Sequence, residues 1–174
     1  HAYHRRQRQM CIRDRISVPL NSLVVLKDGP IKTISNLKGK KVGFSVGGFE
    51  EALLSGMLQK YNLNMSDVDL VNINFSLSPS LIAKKVDAVI GAFRNFELNQ
   101  MDIVNHPGRA FYPEEHGVPT YEELIYIANQ KNKNNPLFDK FFSAIQKATL
   151  TIINDPVSTW KDFSSYRKGL DLSL

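Results

Sequence analysis

A chain of 174 residues, 43% of them hydrophobic, can bury one good core or parts of two smaller lobes, and it contains no apolar run near the ~18 residues of a membrane span. Its single cysteine, Cys11, excludes a disulfide framework or a cysteine metal site in the body of the chain. The pI of 9.3 points toward nucleic acid, but +4 of the +5 net charge lies in residues 1–15, where five arginines stand against Asp14, and the remaining +1 supplies no basic surface.

Residues 1–15, HAYHRRQRQMCIRDR, show no apolar period, no starting Met and no h-region, so they are not a secretory signal. They are expected to be a non-native leader joined to a partial reading frame, with a native basic arm as the alternative. Ser22–Lys27, SLVVLK, reads as a short apolar strand closed by the turn Asp28-Gly29-Pro30. A polar connection over Ile31–Lys40 leads to a second strand, Lys41–Ser45, which ends at Val46-Gly47-Gly48. Phe49–Tyr61 has helical spacing in Ala52, Leu53, Met57, Leu58 and Tyr61, with Glu50 and Glu51 in its first turn. Val68–Asn74 is a third strand, and Ser78-Pro79 is expected to cap a short helix through Lys84.

Val86–Ala92 follows as an apolar run without alternation, the pattern of a strand buried on both faces. Lys41–Ala92 therefore spells β-α-β-α-β, a three-stranded parallel sheet with helices on its faces. A helix is expected over Phe96–Val104, then extended pieces at Arg109–Tyr112 and Leu124–Ala128. Asn135-Pro136 caps a helix over Leu137–Asn154 with one broad apolar stripe, and Asp155-Pro156 repeats the device before a last helix carrying Val157, Trp160 and Phe163. These aromatic helices exceed what three strands can cover. They are expected to belong to a second core whose sheet is mostly missing, with Ser22–Lys27 and Leu124–Ala128 as its remnants.

The strand Val86–Ala92 empties into Phe93-Arg94-Asn95-Phe96-Glu97. Ligands of open α/β sheets sit beyond the carboxyl ends of the strands, and a carboxylate and an amide between phenylalanines suit a flat, polar-edged molecule. The plain alternative is an Arg94–Glu97 surface pair. Gly43-Phe44-Ser45-Val46-Gly47 matches G-x-S-x-G at a strand-to-helix turn, with His106 and His116 downstream, but too little chain precedes it for the strands and oxyanion loop of a hydrolase. Gly47-Gly48 at a helix start suggests a phosphate cradle, against which Glu50 and Glu51 would repel an anion. The histidines have no metal-ligand spacing.

ISNLKGKKVGFSVGGFEEALL, VNINFSLSPSLIAKKVDAVIGAFRNFE, GRAFYPEEHGVPTYEELI and NDPVSTW together resemble the solute-binding receptors of ABC importers for pyrimidine precursors of thiamine. That branch also contains a eukaryotic enzyme making the thiamine pyrimidine. The resemblance implies an α/β, type II periplasmic-binding-protein-like fold, with one complete three-layer lobe on a parallel sheet plus a partial second lobe. Residues 38–106 would form lobe 2, and 16–37 with 107–174 remnants of lobe 1.

By the same resemblance, Glu97 matches the family's ligand glutamate and would meet an aminopyrimidine's exocyclic amine and ring nitrogen. Asn95 would read a second polar edge, and Phe93, Phe96 or Phe44 would stack on the ring. Ser45, Gly47, Gly48 and Asn74 lie at the other strand ends. The resemblance further implies an exported, periplasmic, monomeric receptor without cofactor, whose partners are a small aminopyrimidine and a membrane permease. The enzyme branch carries a cysteine cluster where this chain has Gly117–Glu122 without one, which favours a binder. A sulfonate receptor is the remaining alternative.

Overall fold

The computed structural model describes residues 15–16 and 18–166; the remainder of the expected leader, residues 1–14, lies outside them. Seven strands are present among the described residues: β1 (Arg15–Ile16), β2 (Asn21–Leu26), β3 (Lys41–Phe44), β4 (Asp69–Asn72), β5 (Ala88–Phe93), β6 (Gly108–Phe111) and β7 (Leu124–Ile125). Five α-helices accompany them: α1 (Phe49–Gln59), α2 (Leu77–Ile82), α3 (Glu97–Ile103), α4 (Leu137–Asn154) and α5 (Pro156–Tyr166). They divide into two compact units, one over Val18–Glu123 and the other from Leu124 onward together with β1.

In the first unit the strands form one sheet in the order β4-β3-β5-β2-β6. β3 lies parallel to both β4 and β5, as the β-α-β-α-β pattern requires. Alternate side chains sort the core onto two faces. Leu23, Val25, Val42, Ala88 and Ile90 face α1 through Leu54, Met57 and Leu58, while Val24, Val89 and Ala92 face α2 and α3 through Leu77, Leu81 and Met101. This is the expected three-layer lobe.

Its extent differs from expectation. β2 is no remnant of another sheet: it runs antiparallel between β5 and β6, with Leu23 opposite Ile90 on one side and Phe111 on the other. The unit therefore spans 18–123 rather than 38–106, and the sheet is mixed. The physical reason is burial. Residues Leu23, Val24 and Val25 are at most 1% exposed, and a strand apolar on both faces is stable only at the centre of a covered sheet. The short helix also starts two residues early, at Leu77, with Ser76 rather than Ser78 in the N-cap position. Pro79 then falls in the first turn, where its missing N–H costs nothing.

In the second unit β1 pairs antiparallel with β7, Arg15 opposite Ile125 and Ile16 opposite Leu124. α4 has the bounds its stripe predicts. Asn135 Oδ1 accepts from Leu137 N at 2.9 Å, and Asp155 Oδ1 accepts from Ser158 N at 3.1 Å at the next helix start. Tyr126, Phe141 and Phe142 meet edge-on, with ring centroids 5.4–5.8 Å apart. Yet no residue of α4 or α5 is buried. The apolar stripe is present and lies at the surface of the described residues.

Candidate functional site

The carboxyl ends of the three parallel strands bring together the loop Ser45–Gly48 after β3, the loop Ile73–Ser76 after β4, and Arg94–Phe96 after β5. Two of these ends are tied by a residue that sequence reasoning placed only in a helix turn. Glu50, in the first turn of α1, is 3% exposed. Its Oε2 accepts from Ser45 N at 2.7 Å and its Oε1 from Ser45 Oγ at 2.8 Å. The same carboxylate lies against Gly91 of β5, where a Cβ would stand 2.3 Å from Oε1.

Gly91 makes that approach possible twice over. It has φ +99°, a conformation L side chains avoid. It is also the extra residue of a β-bulge, because the β2–β5 register steps from Ser22–Ala92 to Leu23–Ile90. Ser22 Oγ donates to Ala92 O at 2.7 Å and pins the strand beyond the bulge.

Glu97 opens α3 and folds back so that its Oε2 accepts from Phe93 N. Burial pushes its carboxyl above the usual range, the backbone N–H groups of Phe93 and Glu97 pull it down, and the Glu50 charge pushes it up again, for a net rise. It stands at a strand end as a half-buried carboxyl whose observed role is to accept from Phe93 N. Phe96, beside it, is 60% exposed.

The other expected site residues are brought together unevenly. Asn95 and Asn74 are exposed, Asn74 at φ +49° with its N–H on Asn72 Oδ1 at 2.9 Å. Gly47 and Gly48 are exposed, and Gly48 N donates to Glu51 Oε2 at 2.8 Å. Phe93 is half-buried, and Phe44 packs into the core under α1 rather than presenting a free face. Two further aromatics were missed: Phe75, 84% exposed in the loop after β4, and Phe49, 44% exposed and edge-on to Tyr121 at 5.9 Å. An aromatic in a strand-like run is ordinarily core, so nothing local marked Phe75.

Arg94 does not pair with Glu97. Its Nη1 and Nη2 donate to both oxygens of Glu114 at 2.8 and 3.0 Å, and its guanidinium lies 4.0 Å from the centre of the Tyr112 ring. The Glu114 hydrogen bond raises Arg94, and hydrogen bonding to Arg94 holds the Glu114 carboxyl below its usual range. Arg94 thus ties the β5 end to the segment after β6 and leaves Glu97 to the site.

Ser45 Oγ donates to Glu50 Oε1, not to either of the histidines expected as conceivable bases. His116 Nδ1 is hydrogen-bonded to Tyr61 Oη at 2.7 Å. His106 lines a cavity of about 550 Å³ at the opposite end of the sheet, floored by Val25, Leu81 and Val86. None of the expected site residues borders that cavity. Among the described residues no three His, Cys, Asp or Glu side chains are placed to hold a metal ion, and no helix is long and apolar enough to cross a membrane.

Comparison with known proteins bears on both fold and chemistry. A family model described as NMT1/THI5 like matches residues 6–159. A Haemophilus influenzae protein named for thiamine biosynthesis is 51% identical over 152 residues, covering 87% of this chain and 48% of the relative. A formylaminopyrimidine-binding protein of Halalkalibacterium halodurans is 26% identical over 140 residues, covering 79% and 42%. A 4-amino-5-hydroxymethyl-2-methylpyrimidine phosphate synthase of Schizosaccharomyces pombe is 25% identical over 170 residues, covering 91% and 49%. The chain spans about half the length of these curated relatives.

Among solved structures, the periplasmic aliphatic sulphonate binding protein SsuA of Escherichia coli superposes with a TM-score of 0.61 at 18% identity, over 86% of this chain and 50% of that one. The alkanesulfonate-binding protein SsuA of Xanthomonas axonopodis pv. citri gives 0.60 at 16% identity, over 88% and 52%. The fold is accordingly the α/β fold of periplasmic binding proteins.

Proposed function

This chain belongs to the NMT1/THI5-like family, and from that premise we propose that the intact protein captures a pyrimidine precursor of thiamine for an ABC importer. It works outside the cytoplasmic membrane as a monomeric binding component and hands its ligand to a membrane permease. The ligand is an aminopyrimidine, and Glu97 is its principal polar anchor. The observation that carries this is the half-buried Glu97 carboxyl at the end of β5, with exposed Phe96 beside it.

The chemistry follows from the head group. An exocyclic amine donates to one carboxyl oxygen while the adjacent ring nitrogen takes the proton of the other. A carboxyl held above its usual range keeps that proton within reach. Phe96 offers a face to the ring and Asn95 a second polar contact. The protein binds rather than converts: positions 117–122, GVPTYE, carry no cysteine, unlike the cluster of the enzyme branch.

Calorimetric titration of the full-length protein with 4-amino-5-hydroxymethyl-2-methylpyrimidine tests this. Glu97→Ala removes a hydrogen bond to a charged or proton-sharing partner and is expected to weaken binding roughly 10- to 150-fold. Glu97→Gln keeps the shape and one donor–acceptor pair, loses the titratable proton, and is expected to fall between. Unchanged affinity in a folded Glu97→Ala protein would move the site off this strand end. Recovery of a chemically altered ligand would place the protein with the yeast synthases instead.

A further inference from the structure

Periplasmic sulfonate binders share this fold, so the fold alone does not choose between an anion and a nitrogen heterocycle. The choice lies in which hydrogen-bonding groups the strand ends leave free. At the end of β3 both donors of Ser45 are consumed: its N–H by Glu50 Oε2 at 2.7 Å and its O–H by Glu50 Oε1 at 2.8 Å. Three residues on, Gly48 N–H is taken by Glu51 Oε2 at 2.8 Å. Three donors of the loop between β3 and α1 are thus committed to two carboxylates of the helix's own first turn.

Glu50 is more than a cap. It is 3% exposed, and no Lys, Arg or His of the described residues forms an ion pair with it, the pairs there being Lys38–Asp67 and Arg94–Glu114. Its hydrogen-bond partners are neutral. The bulge and positive φ at Gly91 exist where this carboxylate presses on β5. Two residues on, Phe93 N–H holds the carboxyl of Glu97. With its proton given to Glu50, the Ser45 hydroxyl has only lone pairs to offer outward.

We propose that Glu50 is the specificity-determining residue of this strand end. By holding both donors of Ser45 and setting a carboxylate behind this loop, it makes the strand end favour a ligand edge that donates hydrogen bonds over an anion. Glu50 acts through Ser45 and through its uncompensated charge, without touching the ligand. This rests on the proposed function only in taking these strand ends as the binding face.

The test uses the full-length protein and two probes, 4-amino-5-hydroxymethyl-2-methylpyrimidine and methanesulfonate, titrated calorimetrically into wild type, Glu50→Gln and Glu51→Gln, with thermal melting as the folding control. Wild type is expected to bind the aminopyrimidine and exclude methanesulfonate. Glu50→Gln removes the charge and one of the two acceptors, and is expected to shift the ratio of the two affinities toward the sulfonate by roughly 10- to 150-fold. Glu51→Gln, on the helix surface, should shift it in the same direction by less. An unchanged ratio in folded Glu50→Gln overturns the proposal. So does a wild type that binds methanesulfonate as well as the aminopyrimidine, which decides the matter even if Glu50→Gln does not fold. If wild type binds neither probe, the aminopyrimidine reading fails, while entry of methanesulfonate into Glu50→Gln still supports the role of Glu50.

Discussion

Replacing Gly91 by alanine isolates the contact on which the site is built. Two costs add. A non-glycine residue held at φ +99° carries roughly 1–3 kcal/mol of backbone strain. The new Cβ would also stand 2.3, 2.4 and 2.7 Å from Oε1, Cδ and Oε2 of Glu50, so the carboxylate must move by about an ångström to reach ordinary contact. A glutamate is long enough to swing aside, and the clash itself is cheap. What is costly is surrendering hydrogen bonds of 2.7 and 2.8 Å from Ser45 to a carboxylate that is itself buried. A lost bond to a charged group costs about 1.5–3 kcal/mol.

The sum for Gly91→Ala, with one of the two bonds lost, is about 2.5–6 kcal/mol, a large part of the ~5–15 kcal/mol that holds an ordinary domain together. Thermal melting of the full-length protein is the assay, with an expected fall of roughly 10 °C or more. The double variant Gly91→Ala/Glu50→Ala separates the terms, since removing the carboxylate removes the collision and leaves only the strain. A coupling of at least about 1.5 kcal/mol is expected between the two sites. Strict additivity within about 0.5 kcal/mol, or a Gly91→Ala protein that melts like wild type, would refute the account of the bulge as a seat for Glu50.

Three further outcomes are expected. Glu114 is held below its usual range by hydrogen bonding to Arg94, so its contribution is present above the unfolded value near 4.5 and lost as pH falls through the lower folded one; Glu114→Gln should flatten the acid limb of a melting-temperature-against-pH curve and cost about 1–3 kcal/mol at neutral pH. His116 is lowered chiefly by burial, then by Lys60, so the stability tied to its neutral form is present above the unfolded value near 6.5 and is lost as pH falls through its depressed folded value; Lys60→Gln should raise the midpoint of the histidine resonances by NMR, and a midpoint that stays or falls would contradict this. The isolated 174-residue chain, with Leu137 62%, Ile153 64% and Val157 67% exposed on α4 and α5, should bind a hydrophobic dye and self-associate with concentration; a dye-silent monomer would contradict the open second core.

Local signals were legible where the chemistry is local. The bounds of α4 follow from one apolar stripe between an Asn135 cap and Asp155-Pro156, and both devices are found in place. The β5 strand and the position of Glu97 at its end follow from an apolar run and its exit. Pairings across the chain were not legible. An apolar run such as Ser22–Lys27 declares that a strand is buried, but which sheet receives it depends on partners at Phe93 and Phe111 that no local pattern names. Arg94 could be paired with Glu97 by helical spacing, whereas Glu114 reaches it only because β6 folds back alongside β2. The inward turn of Glu50 had one available clue: a lone glycine inside a strand pattern suggests a bulge or a close approach, and Gly91 is both.

The sheet order sets a timetable for synthesis. β2 emerges early, yet its partners are the last strands of the unit to be made: Leu23 must wait for Ile90 and then for Phe111. At ordinary translation rates that delay is roughly 4–18 s, during which an apolar strand with no polar face has nothing to pair with. The parallel trio β3, β4 and β5 can assemble in the meantime, but its inner edge at β5 stays open until β2 arrives from behind it. A nascent chain arranged this way is slow to close and sticky while it waits.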